Sequence, residues 1–421
     1  MIQEQAAAAL AKLAEDNEET RSAITQGGGV APLITLIENA SREGSSETRL
    51  MNAADALANL AIDPAARDEI VQLGGVNYLV ALLTDGSDAA AEGGARTGTA
   101  KQYAATALAR LSRNHEATQK RVADEGAIKP LVALLDGTQG VAAQQEAAGA
   151  LYELANHERN RRAITEADGL GQLVSLLAVE NPKAREHAEG ALVRLSIENA
   201  NRALIIQKLV AMVEHADTGQ EMAAAAIANL ARESEENRSS IVEADGIPPL
   251  LALLDSNSGT AKENSVGAIT ELCRGSTSNQ AAIAKAGGIP KLVGVLLSFS
   301  SSTMKDMSVS QLCTLAASAI KEMAKGNRKN QDAISEAGAI PPLVAMLGSP
   351  APKMQANAAG ALANLARNHT DNQGAIARTG AVAPLCTLVR EGSEEAKDRS
   401  ASAIWSLATD HAANKDTLAK L

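Results

Sequence analysis

Hydrophobic positions along the chain recur with a period of about 42 residues. The segment from Asn330 to Leu347 reads NQDAISEAGAIPPLVAML, and closely similar segments begin at Asn237, Asn279 and Asn372. Every copy has a leucine at the same place. These anchor leucines are Leu33, Leu79, Leu131, Leu173, Leu209, Leu250, Leu292, Leu343 and Leu385. A fixed period of this length indicates a repeat protein, in which each unit packs on its neighbours.

The apolar spacing within one copy predicts three helices. A short first helix carries an Asn-x-x-x-Ile segment and ends at a glycine such as Gly338, because a sharp change of direction favours positive φ. A second helix begins at a proline such as Pro341, which the first turn tolerates. A longer third helix follows, with alanine and leucine at helical spacing. The fifth copy has no Gly-Ile-Pro linker between Asn201 and Leu209, so its first two helices are expected to merge or shorten.

This pattern resembles the armadillo repeat, and the resemblance covers essentially the whole chain. A Gly-[Ala/Gly]-Ile-Pro-x-Leu-Val segment after an Asn-x-x-x-Ile helix sets it apart from HEAT repeats. It is most similar to plant and fungal armadillo repeat domains, of the U-box ligase and vacuolar scaffold type, and not to a classical importin-α. The resemblance implies an all-α fold, a right-handed superhelical armadillo-repeat solenoid whose third helices line a concave groove. We expect one solenoid over residues 1–421, with about nine repeats and partial repeats at both ends.

Composition supports a thin core of closely packed helices and narrows the classes of partner. Hydrophobic residues make up 45% of the chain but aromatic residues only 1%, whereas globular cores normally use aromatic side chains as their bulkiest filling. The net charge of −11 argues against a general nucleic-acid or anionic-membrane binder and leaves room for a local basic patch. No run of apolar residues is long enough to predict a membrane span.

Cysteine usage bears on the compartment. Cys273, Cys313 and Cys386 are too few and too far apart for a disulfide framework or a Cys-x-x-Cys metal site. This favours a reducing compartment. We therefore expect a cytoplasmic protein, with the nucleus as the alternative.

The resemblance implies that third-helix residues at one recurrent position form the binding groove; in importin-α this position is asparagine. Lys12 and Ser406 stand at that position in the first and last copies, and the groove row consists of the eight residues between them: Asn59, Arg110, Glu153, Arg194, Asn229, Glu271, Glu322 and Asn364. The second row lies seven residues earlier on the same helix face: Tyr103, Glu146, His187, Asn264 and Asn357. Side-chain amides there can bond the backbone of an extended peptide, and charged groups would contact partner side chains.

Importin-like carriers also have tryptophan four residues before the groove position, and this chain does not. The row in question is Ala8, Asp55, Thr106, Gly149, Gly190, Ala225, Gly267, Ser318, Gly360 and Ser402. A classical nuclear-localisation receptor is therefore not expected. Glycine within a helix costs about 1 kcal/mol relative to alanine, so the four glycines need a reason. Either neighbouring helices pack closely there, or the groove floor is kept low for a bulky partner segment.

The order of charges along the groove row is asymmetric. Arg110 and Arg194 precede Glu271 and Glu322 in the chain. One interpretation is an ordinary solvated helix face. The other is a groove that orients a charged peptide, and the sequence leaves both open.

Three insertions lie between second and third helices, at 41–50, 85–100 and 298–311. Their serine, glycine and threonine content predicts mobile loops. The third carries Phe299, Met304 and Met307 and is the best candidate for an additional contact.

The polar residues of the sequence do not form a known catalytic or metal-binding motif. His115, His157, His369 and His411 fall between a third helix and the next first helix, one or more repeats apart, which is too far to share a metal ion. We expect them to cap helix C-termini. HExxH, P-loop and Gly-x-Ser-x-Gly motifs are missing. The sequence therefore predicts no enzyme, no cofactor, no metal site and no small-molecule substrate.

The predicted function is a non-enzymatic protein-protein interaction scaffold or adaptor. It would bind extended or helical segments of partner proteins, or peptides, in the concave third-helix groove. Nucleic acid is not an expected partner. Two alternatives stay open: the substrate-recognition domain of a ubiquitin ligase, and a membrane-peripheral tether.

Overall fold

The computed structural model describes residues 2–43, 47–84, 97–215, 219–298 and 307–420. These residues form 28 α-helices and one short 3-10 helix, and they contain no β-strand. The all-helical repeat fold expected from the sequence is confirmed. Two compact units can be distinguished, Met1–Lys208 and Leu209–Leu421.

The N-terminal unit repeats the predicted triplet of first, second and third helices. In chain order its helices are α1 (Ile2–Ala14), α2 (Glu18–Gln26), α3 (Val30–Glu43), α4 (Glu47–Leu60), α5 (Pro64–Gln72), α6 (Gly75–Thr84), α7 (Thr97–Ser112), α8 (Glu116–Asp124), α9 (Ile128–Ala133), α10 (Val141–Leu154), α11 (Glu158–Glu166), α12 (Gly169–Leu176) and α13 (Pro182–Leu195). The third helices are α1, α4, α7, α10 and α13, and each packs against the next.

The unit boundary falls within α14 (Asn199–His215), a single helix of 17 residues. This helix replaces the first and second helices of the fifth repeat, so the expected merger is confirmed. The physical reason is local: the segment from Asn201 to Leu209 offers neither the glycine nor the proline that ends the first helix elsewhere.

The C-terminal unit continues the same order. Its helices are α15 (Gln220–Glu233), α16 (Glu235–Glu243), α17 (Ile247–Leu253), α18 (Gly259–Cys273), α19 (Thr277–Lys285), α20 (Gly288–Leu297), α21 (Met307–Ala324), α22 (Arg328–Glu336), α23 (Ile340–Met346), α24 (Pro352–Ala366), α25 (Thr370–Arg378), α26 (Val382–Glu391), α27 (Glu394–Ala408) and α28 (Ala412–Leu418). The third helices α15, α18, α21, α24 and α27 pack one on the next.

The core of each unit is built from alanine, leucine and isoleucine. All nine anchor leucines are buried, and Leu33 is the most exposed of them at 2%. Alanines fill the contacts between third helices, as Ala358, Ala361 and Ala363 do on α24. Small side chains let helix axes approach closely, which explains how a core with so few aromatic residues is filled.

Buried asparagines join several first helices to the helices before them. Asn372 Nδ2 donates to the carbonyl oxygens of Leu365, at 3.0 Å, and of Gln331, at 3.4 Å. Asn330 and Asn414 make the equivalent pair of bonds in their own repeats. The last carbonyls of an α-helix lack partners within the helix, and these amides supply a donor. The Asn-x-x-x-Ile segment that reveals the repeat in the sequence therefore has a structural role.

The glutamine that follows the asparagine bonds the end of the third helix in its own repeat. Gln373 Nε2 donates to the carbonyl oxygens of Ser406 and Thr409 at the end of α27, at 2.8 and 2.9 Å. Gln331 and Gln280 do the same for the ends of α24 and α21. These bonds tie the first helix of a triplet to the end of its third helix.

The recurrent histidines cap first helices at their N-termini, so the expected capping of helix C-termini is wrong. His369 Nδ1 accepts a hydrogen bond from the backbone N–H of Asn372 at 3.3 Å. His115 and His411 accept equivalent bonds, while His157 takes the same position without a capping bond from its side chain. Asparagine and serine occupy this place in other repeats, as is usual for an N-cap.

The insertions are shorter than the sequence suggests. Residues 41–43 continue α3, 97–100 begin α7 and 307–311 begin α21, so the expectation of loops is wrong for these parts. Residues 85–96 and 299–306, with Phe299 and Met304, lie outside the described residues. Met307 is described, and 84% of its surface is exposed.

Across the described ranges, no single helix has both the length and the apolar composition of a membrane span. The helices α19 and α20 meet that test only as a pair, and the pair is bent by 79° at the break.

Candidate functional site

The predicted groove residues lie on one face of the third helices in each unit. In the N-terminal unit the structure brings together Asn59, Arg110, Glu153 and Arg194 of the groove row with Tyr103, Glu146 and His187 of the second row. In the C-terminal unit it brings together Asn229, Glu271, Glu322 and Asn364 with Asn264 and Asn357. We call this surface the third-helix face of the unit.

Four of the five asparagines on this face bond the preceding repeat. Asn59 Nδ2 donates to the carbonyl oxygen of Ala11 at 3.1 Å, and Asn364 Nδ2 to that of Lys321 at 2.8 Å. Asn264 and Asn357 of the second row donate in the same way to the preceding third helix. At least one amide N–H of each residue is thus engaged between repeats.

Arginine takes over this inter-repeat role at two positions of the groove row, Arg110 and Arg194. Arg110 Nη1 donates to the carbonyl oxygen of Ala58 at 2.7 Å and to Oδ1 of Asn59 at 2.9 Å. Burial lowers the pKa of the Arg110 guanidinium, and Glu146 and Asp55 act in the opposite direction. Part of the charge that the sequence assigned to the groove is therefore used to hold α7 against α4.

A stack of planar side chains lies between α10 and α13. The Arg194 guanidinium carbon lies 3.3 Å from the centroid of the Tyr152 ring, and Arg194 Nη1 donates to the Tyr152 carbonyl oxygen at 2.7 Å. The His187 ring stacks on the Tyr152 ring, with centroids 6.3 Å apart. Cation–π contact and stacking both favour this arrangement. Tyr152 was not identified from the sequence as part of this face. The signal that could have found it is Gly190, one repeat later, which leaves room for the Tyr152 ring.

Packing explains two glycines of the row that lies four residues before the groove row. A Cβ atom at Gly190 would lie 2.5 Å from the Tyr152 ring, and one at Gly149 would lie 3.0 Å from the His187 ring. Around Gly267, by contrast, nothing lies within 4 Å of such an atom. Packing therefore explains Gly190 and Gly149, while a groove floor kept low for a partner segment stays a prediction for Gly267.

The third-helix face of the N-terminal unit contains a recess of about 570 Å³. Its lining comes from α1, α4 and α7, together with Glu146 of α10 and the residues that follow α1. The carboxylates in the lining outnumber the cations. The carboxylates are Glu15, Asp16, Asp55 and Glu146, and the cations are Lys12 and Arg110. Tyr103 supplies the aromatic surface of the recess.

The electrostatics of the recess disfavour further negative charge. Burial raises the pKa of the Asp55 carboxyl, and the nearby Glu15 raises it further, although Arg110 and a hydrogen bond from Asn59 lower it. Burial also raises the pKa of the Tyr103 phenol, with Asp55 and Glu15 adding to the effect. A cation placed in this recess would be stabilised.

Asp55→Asn is expected to stabilise the fold at neutral pH. The pKa of Asp55 is higher in the folded protein than in the unfolded chain, so its ionised form disfavours folding. The gain should be largest at neutral pH and should vanish once the pH falls below the ordinary Asp value of about 3.9. Because the group is only half-buried, we expect less than about 1 kcal/mol. Urea unfolding of both proteins at neutral and acidic pH measures it; a gain that grows on acidification would contradict this assignment.

The two groove-row glutamates of the C-terminal unit, Glu271 and Glu322, are largely buried beside basic residues. The Glu271 side chain is 9% exposed and forms ion pairs with Arg232, at 3.4 Å, and Arg274, at 3.2 Å. Both arginine side chains are 55% exposed. The Glu322 side chain is 14% exposed, with Lys321 Nζ at 3.8 Å. The groove row in this unit suggests an acidic surface. Its carboxylates are largely buried, however, so the charge that this face exposes to solvent is not acidic.

No group of three or more His, Cys, Asp or Glu side chains that could hold a metal ion occurs in the described part of the chain. Burial raises the pKa of the Cys273 and Cys313 thiols. Both thiols lie in the core, where the nucleophilic thiolate is disfavoured.

Comparison with known proteins agrees with this architecture. The family model of the Armadillo/beta-catenin-like repeat matches residues 234–274 and 327–367. Each match covers one complete triplet, α16–α18 and α22–α24. The crystal structure of an engineered protein is 30% identical and superimposes with a TM-score of 0.64, covering 96% of this chain and 95% of that one. The chain is an armadillo-like repeat protein.

A second engineered protein of known crystal structure is 26% identical to this armadillo-like protein, with a TM-score of 0.44 over 68% of this chain and 97% of that one. The search of curated proteins found no match. Armadillo repeats are generally protein-interaction scaffolds and are typically non-enzymatic.

Proposed function

We propose that this armadillo-like protein is a scaffold or adaptor that binds extended or helical segments of partner proteins on its third-helix face. The observation that carries the proposal is the polar recess on the N-terminal unit, formed by side chains from several consecutive repeats. Helices in an alanine-rich stack bury most of their surface. A recess that keeps charged, amide and aromatic groups accessible across neighbouring repeats is suited to contact another polypeptide.

The dimensions favour a polypeptide segment over a small ligand. The recess is continuous with a second one of about 290 Å³, since Thr106, Arg110 and Glu146 line both. Together they cross five third helices, which at 8–10 Å between axes span roughly 30–40 Å. An extended segment of about ten residues has that length. Small-molecule pockets are, by contrast, mostly apolar and enclosed.

The charges in the recess indicate which side chains of the partner it would accept. A lysine or arginine of the partner could approach Asp55 and Glu15, and its aliphatic stem could pack on Tyr103. The second row residue Glu146 lies in both recesses and would extend the contact along the segment.

Selection of roughly ten-residue unstructured peptides against the full chain tests the proposal. We expect the enriched peptides to bind the double variant Tyr103→Ala, Glu146→Lys at least about 30-fold more weakly, the loss of one interface hot spot. The control is Arg162→Glu on the first helix α11, where the side chain is 63% exposed. The proposal fails if no peptide is enriched, or if the control loses binding and the double variant does not.

On the resemblance carried by the repeat sequence, we further propose that the chain is of the plant and fungal armadillo type, like the U-box ligase and vacuolar scaffold domains.

A further inference from the structure

Four basic residues form a row along the C-terminal ends of consecutive third helices in the C-terminal unit. They are Arg232, Arg274, Lys325 and Arg367, each three residues after a member of the groove row. All four are exposed. We call this row the basic edge.

The fold holds the members of the basic edge in equivalent places. The carbonyl oxygen of Lys325 accepts a hydrogen bond from Gln280 Nε2, and that of Arg367 accepts one from Gln331 Nε2, both at 3.3 Å. Neighbouring third helices pack 8–10 Å apart. Positive charges therefore recur along the edge at intervals of about 10 Å.

The positive charge of the edge exceeds the negative charge beneath it. Glu271 is one carboxylate shared between two guanidinium groups, those of Arg232 and Arg274. Arg367 donates to a neutral hydroxyl, Oγ of Ser402, at 3.4 Å. The row can therefore accept further anionic groups.

An exposed aromatic side chain lies at one end of the edge. Trp405, the single tryptophan of the chain, is 60% exposed on α27. The Arg367 guanidinium carbon lies 6.0 Å from the centroid of its ring. Exposed tryptophan beside arginine is typical of the central contacts of protein interfaces.

We propose that the basic edge binds an extended acidic segment of a partner protein, with a carboxylate at every third residue and an apolar residue against Trp405. In the extended polyproline II conformation three residues make one turn and span about 9 Å, so every third side chain lies on the same side, and this spacing matches the interval between the basic groups. Each arginine can form a charge-assisted bond to a carboxylate. The net charge of −11 repels nucleic acid, which has a charge at every nucleotide, more strongly than a segment with one carboxylate in three residues. This inference rests on the proposed function and specifies a partner chemistry for the C-terminal unit.

Fluorescence anisotropy with the full chain tests the inference. The probe is a labelled peptide that has glutamate at every third position, serine between and a leucine at one end. We expect Lys325→Glu with Arg367→Glu to weaken binding about tenfold or more, the loss of two charged contacts. The matched control is Lys285→Glu with Arg390→Glu, which changes the net charge equally on exposed sites of α19 and α26 and should retain binding.

Several results would overturn the inference. They are equal loss of binding in both double variants, equal binding of a peptide with its glutamates clustered, and preferential binding of single-stranded RNA to the same edge. If the double variant loses its helical circular dichroism, Lys325→Glu alone is the test variant, with Lys285→Glu as its control. The variant Tyr103→Ala, Glu146→Lys should bind the acidic peptide normally, so this inference and the proposed function can fail separately.

Discussion

Gly246→Val is expected to lower the free energy of unfolding by about 3 kcal/mol, the upper part of the range for overpacking a core. Gly246 is buried at the turn between α16 and α17. A Cβ atom there would lie 2.9 Å from both Cγ2 and the carbonyl oxygen of Ile241, and 3.2 Å from Cγ2 of Val210. The carbonyl belongs to the backbone and cannot move aside cheaply. Urea unfolding followed by far-UV circular dichroism measures the change.

Alanine at the same place is the matched control, because other repeats already contain it. The N–H of Gly246 bonds the Ile241 carbonyl at 2.9 Å, whereas the equivalent bonds from Ala127, Ala339 and Ala381 are 3.2 to 3.4 Å. The turn therefore opens by a few tenths of an ångström to admit one methyl group. Gly246→Ala should cost much less than Gly246→Val, and equal losses would show that the contacts at this turn are not the cause.

Asn372→Ala is expected to destabilise the protein by about 2 kcal/mol or more. A buried carbonyl group that loses its hydrogen-bond donor has been removed from water without a compensating partner. Asn372 is 3% exposed. Its amide serves the carbonyl oxygens of Leu365 and Gln331 in two different helices. We expect a lower urea midpoint and faster hydrogen exchange in α24 and α25.

Gln207→Ala provides the comparison for loss of an amide at an exposed helix position. It should change the free energy of unfolding by no more than about 0.5 kcal/mol. If Asn372→Ala were as mild as Gln207→Ala, the buried amide would not be holding the repeats together, and the structural interpretation of the Asn-x-x-x-Ile segment would be wrong.

Local signals in the sequence were enough to predict the helices. Three of these signals are the period of the anchor leucines, the glycine before each second helix and the missing linker after Asn201. Each affects the backbone within a few residues of its own position. They correctly predict the triplet of helices and the merger in α14. The histidines show the limit of such reasoning, because a residue in a turn can cap either the helix before it or the helix after it. Only the bond from the Asn372 N–H to His369 decides between them.

The sequence by itself determined the repeat, the class of fold and the helix face on which the polar rows lie, because helical periodicity assigns each residue to a face. The tertiary structure decided which of those groups are accessible. Glu271 is largely buried under two arginines, Arg110 is half-buried against α4, and Tyr152 is stacked under Arg194. These arrangements depend on how far each third helix lies from the next, and contacts between residues some 40 positions apart set that distance. The exposed charge of a repeat face is therefore a property of the packed neighbours and cannot be predicted from one repeat alone.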